Sequence, residues 1–166
     1  MRSSIDVRNH LLAADVPHEL SPLPGPLRDL AAAPDLLGLP AAAVGRPTVL
    51  ADDAGAVVVL ARADLDVDLD EVTELLGRDK LTPVPPASSP GLTGYLLPFV
   101  PPVALECPGV VLVDEELAAQ DVVYTASGEP GVILKVRGCD LIKATSAVVS
   151  RISGPGRAGT RAARER

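Results

Sequence analysis

The sequence predicts one α+β domain built on a mixed or largely antiparallel sheet. Two observations carry that reading. Apolar, β-branched runs come as hairpin pairs separated by short amphipathic stretches, whereas a doubly wound parallel sheet would alternate single strands with helices. The 166 residues, 47% hydrophobic and 22% charged, also match a globular chain able to bury a core without metal or disulfide staples.

Each element has a local reason. "SSIDVRNHLLAAD" predicts a first helix with Ser3 or Ser4 as N-cap and Ile5, Leu11 and Leu12 toward the core. "VPHEL" follows as a short extended piece, and Pro22, Pro24 and Pro26 stiffen the connection to "LRDLAAAPDLLGLP", one or two helical turns broken at Pro34. "PTVLADDAGAVVVLARA" is the clearest hairpin, two β-branched runs around a polar turn ending in Gly55. "DLDEVTELLGR" is a helix capped by Asp68 or Asp70, striped by Leu69, Val72, Leu75 and Leu76, and stopped at Gly77. "KLTPV" reads as a short strand and "GVVLVDEEL" as another. "DVVYTASGEPGVILKVRG" reads as a second hairpin, and "CDLIKATSAVVSRIS" as a closing amphipathic helix. The domain is expected over residues 1–153, with 154–166 as an Arg/Gly tail disordered on composition.

Aromatic residues make up only 2%, so the core must come from Ala, Val and Leu. No stretch approaches a membrane span, and "MRSSIDVRNH" lacks a signal-peptide core; both point to a cytoplasmic chain without a membrane partner. Cys107 and Cys139 form no framework and are expected as isolated thiols. The net charge is −7, and the tail holds four arginines against one glutamate, which leaves about −10 on the body. An acidic body is a poor match for a polyanion, so nucleic-acid contact would need a local patch or the tail.

The motifs that suggest chemistry mostly have plainer readings. "DLDVDLDE" (64–71) places carboxylates at alternate positions, but a calcium loop needs Gly at its sixth position and Glu at its twelfth, where this chain has Leu69 and Leu75. It reads as a solvated strand end entering an acid-favouring helix N-terminus, not a metal site. Cys139 begins a helix beside Asp140, which opposes thiolate formation, and His10 and His18 are remote in sequence. "ASGEPG" (126–131) could form an anion nest or simply turn a hairpin. Phosphate-loop, dinucleotide and nucleophile-elbow signatures are missing from the sequence, and no cofactor is implied. The segment "LTGYLLPFVPP" (92–102) remains, holding Tyr95 and Phe99 among prolines that forbid a helix and too apolar for an ordinary loop.

In order and spacing, "AVGRPTVLADDAG", "DEVTELLG", "GLTGYLLPFVPP", "PGVVLVDEEL", "VVYTASGEPGVILKV" and "CDLIKATSA" resemble the YbaK/ProX family over residues 5–152. These are freestanding aminoacyl-tRNA deacylases related to the editing insertion of bacterial prolyl-tRNA synthetase. The resemblance implies a compact α+β domain with a mixed, barrel-like sheet and helices outside. It implies hydrolysis of the ester joining a wrong amino acid to the tRNA 3′ end, with aminoacyl-tRNA or a synthetase as partner. A lysine near the start of the first hairpin would hold the terminal phosphate, and a GxxxP loop after "TGY" would wrap the aminoacyl group. A Gly-rich turn would complete the pocket, and water would attack with help from backbone groups and the substrate's own ribose hydroxyl.

Carried over position by position, the implied substrate pocket comprises Thr48, Gly94, Tyr95, Pro98, Phe99, Pro102, Ala126, Ser127, Gly128 and Gly131. Pro47 falls at the lysine position, leaving Arg46 as the phosphate-binding candidate, although alternation sends its side chain to the opposite strand face. The loop glycine becomes Pro98, the frequent serine Ala126, and an acidic residue of some members Ile133. The expected role is a divergent trans-editing deacylase. The alternative is the same fold repurposed for a small apolar non-tRNA substrate, either as an enzyme or as a binder.

Overall fold

The computed structural model of the protein describes residues 1–25, 27–106 and 109–154; Cys107 and the tail beyond Gly154, both subjects of expectations above, lie outside them. The chain begins with a capping box. Ser3 accepts from the Ile5 amide while Asp6 accepts from the Ser3 amide, which fixes the start of α1 (Ser4–Ala13). Val7 and Leu11, one helical turn apart, are buried, while Ile5 and Leu12 are 66% and 57% exposed. The expected core face of this helix is therefore corrected: its apolar residues cover more than one stripe, and only the Val7–Leu11 stripe meets the sheet.

β1 (His18–Pro22) follows, then a short 3₁₀ turn capped by Asp29 and α2 (Ala33–Leu37). Pro34 sits in the first turn of α2 and starts it, instead of breaking a helix as expected, because a first-turn proline lacks only a hydrogen bond that has no partner anyway. β2 (Gly45–Asp52) and β3 (Gly55–Arg62) form the expected hairpin in register from Gly45–Arg62 to Asp52–Gly55. The bridge strand β4 (Asp66–Val67) leads into α3 (Leu69–Leu76), where Asp68 caps and Gly77 terminates. Of the predicted stripe Val72 is fully buried, but Leu75 is 43% exposed.

β5 (Thr82–Pro83) edges the sheet beside β2, and α4 (Ser89–Thr93) adds a helical turn that the sequence reading left out. β6 (Val110–Asp114) stops where the Asp114 carboxylate accepts from the Glu116 amide and opens α5 (Glu115–Ala118). The second hairpin is β7 (Val122–Ala126) and β8 (Val132–Arg137). α6 (Gly138–Thr145) ends at Ser146, φ 52°, and the rest of the expected closing helix is instead β9 (Val148–Ser150), then β10 (Ser153–Gly154). Val148 and Val149 are β-branched and pair parallel to β6, which overrides the weaker helical pattern of this segment.

These strands form a five-stranded sheet (β5-β2-β3-β6-β9), a three-stranded sheet (β1-β8-β7) and a two-stranded one (β10-β4). Parallel pairing is confined to β3–β6 and β6–β9 within the named strands, so the architecture is α+β with a mixed, largely antiparallel sheet. The larger sheets meet at a single bridge, Val44–Tyr124, reinforced by the Thr125 hydroxyl donating to Gly45 O at 2.9 Å; among the described residues they do not close into a barrel. One apolar cluster, with Val7, Leu60, Tyr95, Val100, Leu117 and Leu134, fills the inner face. A second, with Leu27, Leu30, Val44, Ala126 and Ile133, and a third, with Leu50, Val59, Val72, Leu112 and Ile152, cover the other side. No described helix is long and apolar enough to cross a membrane.

The acidic residues near the hairpins are taken up locally. Asp64 pairs with Arg62, Asp66 with Arg46, and Asp68 caps α3, so the "DLDVDLDE" run is divided among three structural tasks. Buried Asp114 accepts from the Ile152 and Ser153 amides at 3.2 and 2.9 Å, tying the C-terminal strand to β6. At the first hairpin Arg78 donates to both Asp52 carboxylate oxygens and to Gly55 O.

The Arg78 hydrogen bonds hold the Asp52 carboxyl at about 2, against an ordinary value of 3.8. Because the folded-state value is depressed, the contribution of this pair is present above about pH 4 and is lost as pH falls through about 2. Arg78→Ala should return Asp52 to the ordinary carboxylate range and flatten that part of the acid-stability profile. Carbon-detected NMR titration of the Asp52 carboxyl reads the result directly.

Candidate functional site

The segment that no regular element explains, 92–102, is organised by hydroxyl groups just before it. Ser89 and Thr93 lie one turn apart on α4, both essentially unexposed. Ser89 Oγ donates to Tyr95 O at 2.9 Å, and the Tyr95 amide donates to Thr93 Oγ1 at 3.1 Å. These bonds satisfy the backbone of a stretch whose prolines prevent it from joining a helix or sheet. Sequence reasoning missed this pair, although a serine four residues before the threonine of "TGY" is a visible signal.

Gly94 adopts φ 88° and ends α4, which turns Tyr95 inward. The Tyr95 ring is fully buried, and its hydroxyl donates to Ala104 O at 2.9 Å, an oxygen that also accepts from Arg2 Nη1. Burial, with Asp6 nearby, pushes the phenol to about 12, so it remains a donor. Beyond a cis Leu97–Pro98 bond, Phe99, Val100, Pro101 and Pro102 are buried, while Leu96 is 47% exposed. Phe99 O accepts from the Gly128 amide at 3.0 Å, so the 94–102 segment is hydrogen-bonded to the 126–131 turn.

That turn is fully committed. Gly128 has φ 95°, and a Cβ on it would lie 2.8 Å from Tyr95 Cε1, so glycine is required both for the backbone and for the ring. Ser127 is buried and donates to Val132 O at 2.6 Å, and Gly131 O accepts from the Leu23 amide at 2.9 Å. Glu129 accepts from the Ser4 amide and hydroxyl at the start of α1. The anion-nest reading loses its main donor, since the Gly128 amide already serves Phe99.

The other expected site residues divide between two faces of the sheet. Residues paired directly across an antiparallel ladder project to the same side. Pro47 pairs with Leu60 and Val49 with Val58, and these partners belong to the Tyr95 cluster. Thr48 pairs with Val59, in the cluster on the opposite side, so it is not brought against Tyr95, Phe99 and Gly128. Ala126 pairs with Ile133, and both pack with Val44, Leu27 and Leu30. Val44 leads β2 two residues before Arg46, so alternation places Arg46 and Thr48 on the face shared by Ala126 and Ile133. Arg46, not Pro47, is the β2 residue on that face that can meet an anion. Its guanidinium now donates to Asp66 at 2.7 Å and to Leu65 O at 3.0 Å.

A separate groove of about 420 Å³ runs between α1 and β1, lined by Ser4, Ile5, Arg8, His18, Glu19 and Leu20. Sequence reading gave none of these a site role.

The family model for the aminoacyl-tRNA editing domain matches residues 25–144. No curated protein matches significantly in sequence. Among solved structures, hypothetical protein APE2540 superposes with TM-score 0.82 and 29% identity, covering 90% of this chain and 99% of its own. A candidate trans-editing enzyme for prolyl tRNA synthetase gives 0.82 and 24% identity, covering 93% and 98%. A scaffold used for computational grafting of linear epitopes gives 0.82 and 23%, again covering 93% and 98%.

Gly128→Ala should destabilise the protein by about 2–4 kcal/mol, combining a left-handed backbone penalty with ring displacement. Tyr95→Phe should cost only about 1 kcal/mol, since Ala104 O keeps its Arg2 donor. Urea unfolding of both variants checks the order; a larger loss for Tyr95→Phe than for Gly128→Ala would mean that the hydroxyl, not the ring contact, dominates.

Proposed function

Because the chain belongs to the aminoacyl-tRNA editing domain family, we propose that its domain over residues 1–153 hydrolyses the ester between a wrongly attached amino acid and the tRNA 3′ end. The supporting observation is the bond between Gly128 N and Phe99 O, which joins the loop after "TGY" to the Gly-rich turn, the two segments that would enclose the aminoacyl group.

In this reading, water attacks the ester carbonyl carbon, the bond to the ribose oxygen breaks, and that oxygen takes the proton the water gives up. Pro47, Ala126 and Ile133 supply no acid or base, so the protein contributes orientation through backbone groups and exclusion of bulk water. Arg46 is the phosphate ligand, exchanging its Asp66 partner for the terminal nucleotide. Arg46 projects to the face of Ala126, the first residue of the Gly-rich turn, a face that Pro47 and Tyr95 do not share. A planar, always-charged guanidinium suits a phosphate as well as it suits the carboxylate it now holds.

A second reading rests on the Ala126–Ile133 pair. Both residues are nearly unexposed and pack with Leu27, Leu30, Ala33, Val44 and Ala63 in one buried apolar cluster. That lining suits a small apolar ligand, and an α-ammonium placed there would lack a counter-charge.

Hydrolysis of end-labelled alanyl-, cysteinyl- and seryl-tRNA separates the two. The first reading expects release above buffer for at least one ester. It also expects Arg46→Ala to lower kcat/KM about tenfold or more, with Arg46→Lys recovering part of the loss. Rates equal to buffer for all three esters, with a small apolar molecule retained through purification and seen by native mass spectrometry, would establish the second.

A further inference from the structure

We propose that the groove between α1 and β1 binds an extended segment of another protein by strand addition to β1, with an acidic residue of that segment against Arg8. Three consecutive strand residues, His18, Glu19 and Leu20, line this groove. Side chains alternate along a strand, so three in a row can line one groove only where it follows the strand's edge. β1 is the terminal strand of its sheet, with β8 on one side only.

The ladder register shows which backbone groups face outward. The Leu23 amide donates to Gly131 O, which extends the β1–β8 pairing by one residue and makes that pair a hydrogen-bonded one. Hydrogen-bonded pairs alternate, so Ser21–Ile133 and Glu19–Lys135 are bonded pairs, and His18 and Leu20 turn their N–H and C=O groups away from β8. An edge with outward donors and acceptors is a template for another strand. Pro17 and Pro22 bracket it, which limits the added ladder to the length of β1 and fixes its register.

The far wall supplies specificity. Ile5 is 66% exposed and, with Leu20, offers apolar contact. Arg8 has no ion-pair partner among the described residues, whereas Glu19 faces Lys135 at 3.9 Å and Glu129 is bonded to Ser4. An incoming carboxylate therefore meets Arg8 without a competing charge already paired to it. A second copy of this chain fits less well: antiparallel self-pairing would set His18 against Pro22, which has no N–H, and each copy carries −7. The chain's own arginine-rich tail carries the same sign as Arg8.

The probe is the capped peptide Ser-Val-Val-Glu-Val-Ser, its Glu-to-Lys counterpart, and two forms of the first that are N-methylated at alternate residues. Binding to the intact protein is followed by amide NMR shifts. The proposal expects shifts confined to residues 4–8 and 18–22, and binding about fivefold or more weaker for the lysine peptide. Arg8→Glu, at an exposed helix position, should reverse that preference. One N-methylated form should lose binding and the other keep it, because only alternate amides face β1. Equal binding of both methylated forms, or shifts elsewhere, or none with millimolar probe, would overturn the proposal. So would concentration-dependent shifts of residues 18–22 without peptide, which would assign the edge to a second copy.

Discussion

The contact between the Tyr95 ring and Gly128 is the constraint from which the rest of the site follows. A flat, fully buried aromatic lies where any side chain on residue 128 would sit, so the turn must approach within ring-contact distance. That approach places the Gly128 amide against Phe99 O and joins two segments about thirty positions apart in sequence. The same ring anchors the N-terminus, since its hydroxyl and Arg2 share Ala104 O and Glu129 of the turn receives Ser4. In a protein with 2% aromatic residues, one tyrosine thus coordinates a helix, a loop and a turn that aliphatic packing alone would leave free to slide.

Strand alternation is the second organising fact. It assigns Pro47 to the inner face, where Tyr95 packs, and Arg46, Thr48, Ala126 and Ile133 to the other. Neighbouring positions on β2 project to opposite faces, so Arg46 and Pro47 face different surroundings. Ala126 and Ile133 act as one apolar unit. They are cross-strand partners in one cluster, and a lone acid beside Leu27 and Leu30 would be buried without a partner.

Part of the acidic charge of the body is taken up in local pairs and caps. Asp52, Asp64, Asp66 and Glu116 each face an arginine, and Asp68 and Asp114 cap helices. Charge is thus spent on local order along β2, β3 and α3, and exposed pairs of this kind contribute little each to stability.

Local chemistry alone determined much of this protein. The helix starts, to within a choice of two caps each (Ser3 or Ser4, Asp68 or Asp70), the Gly77 stop, both hairpins and the α+β class are legible because each depends on residues close in sequence. The order of its motifs was also enough to place it beside the editing domains. Tertiary structure decided what depends on distant partners. Ile5 and Leu12 are exposed because the sheet meets only the Val7–Leu11 stripe, and Val148–Ser150 is a strand because β6 offers an open edge. Whether Arg46 or Pro47 shares a face with Ala126 is set by the Val44–Tyr124 bridge between two sheets, a relation between residues eighty positions apart that no local pattern encodes.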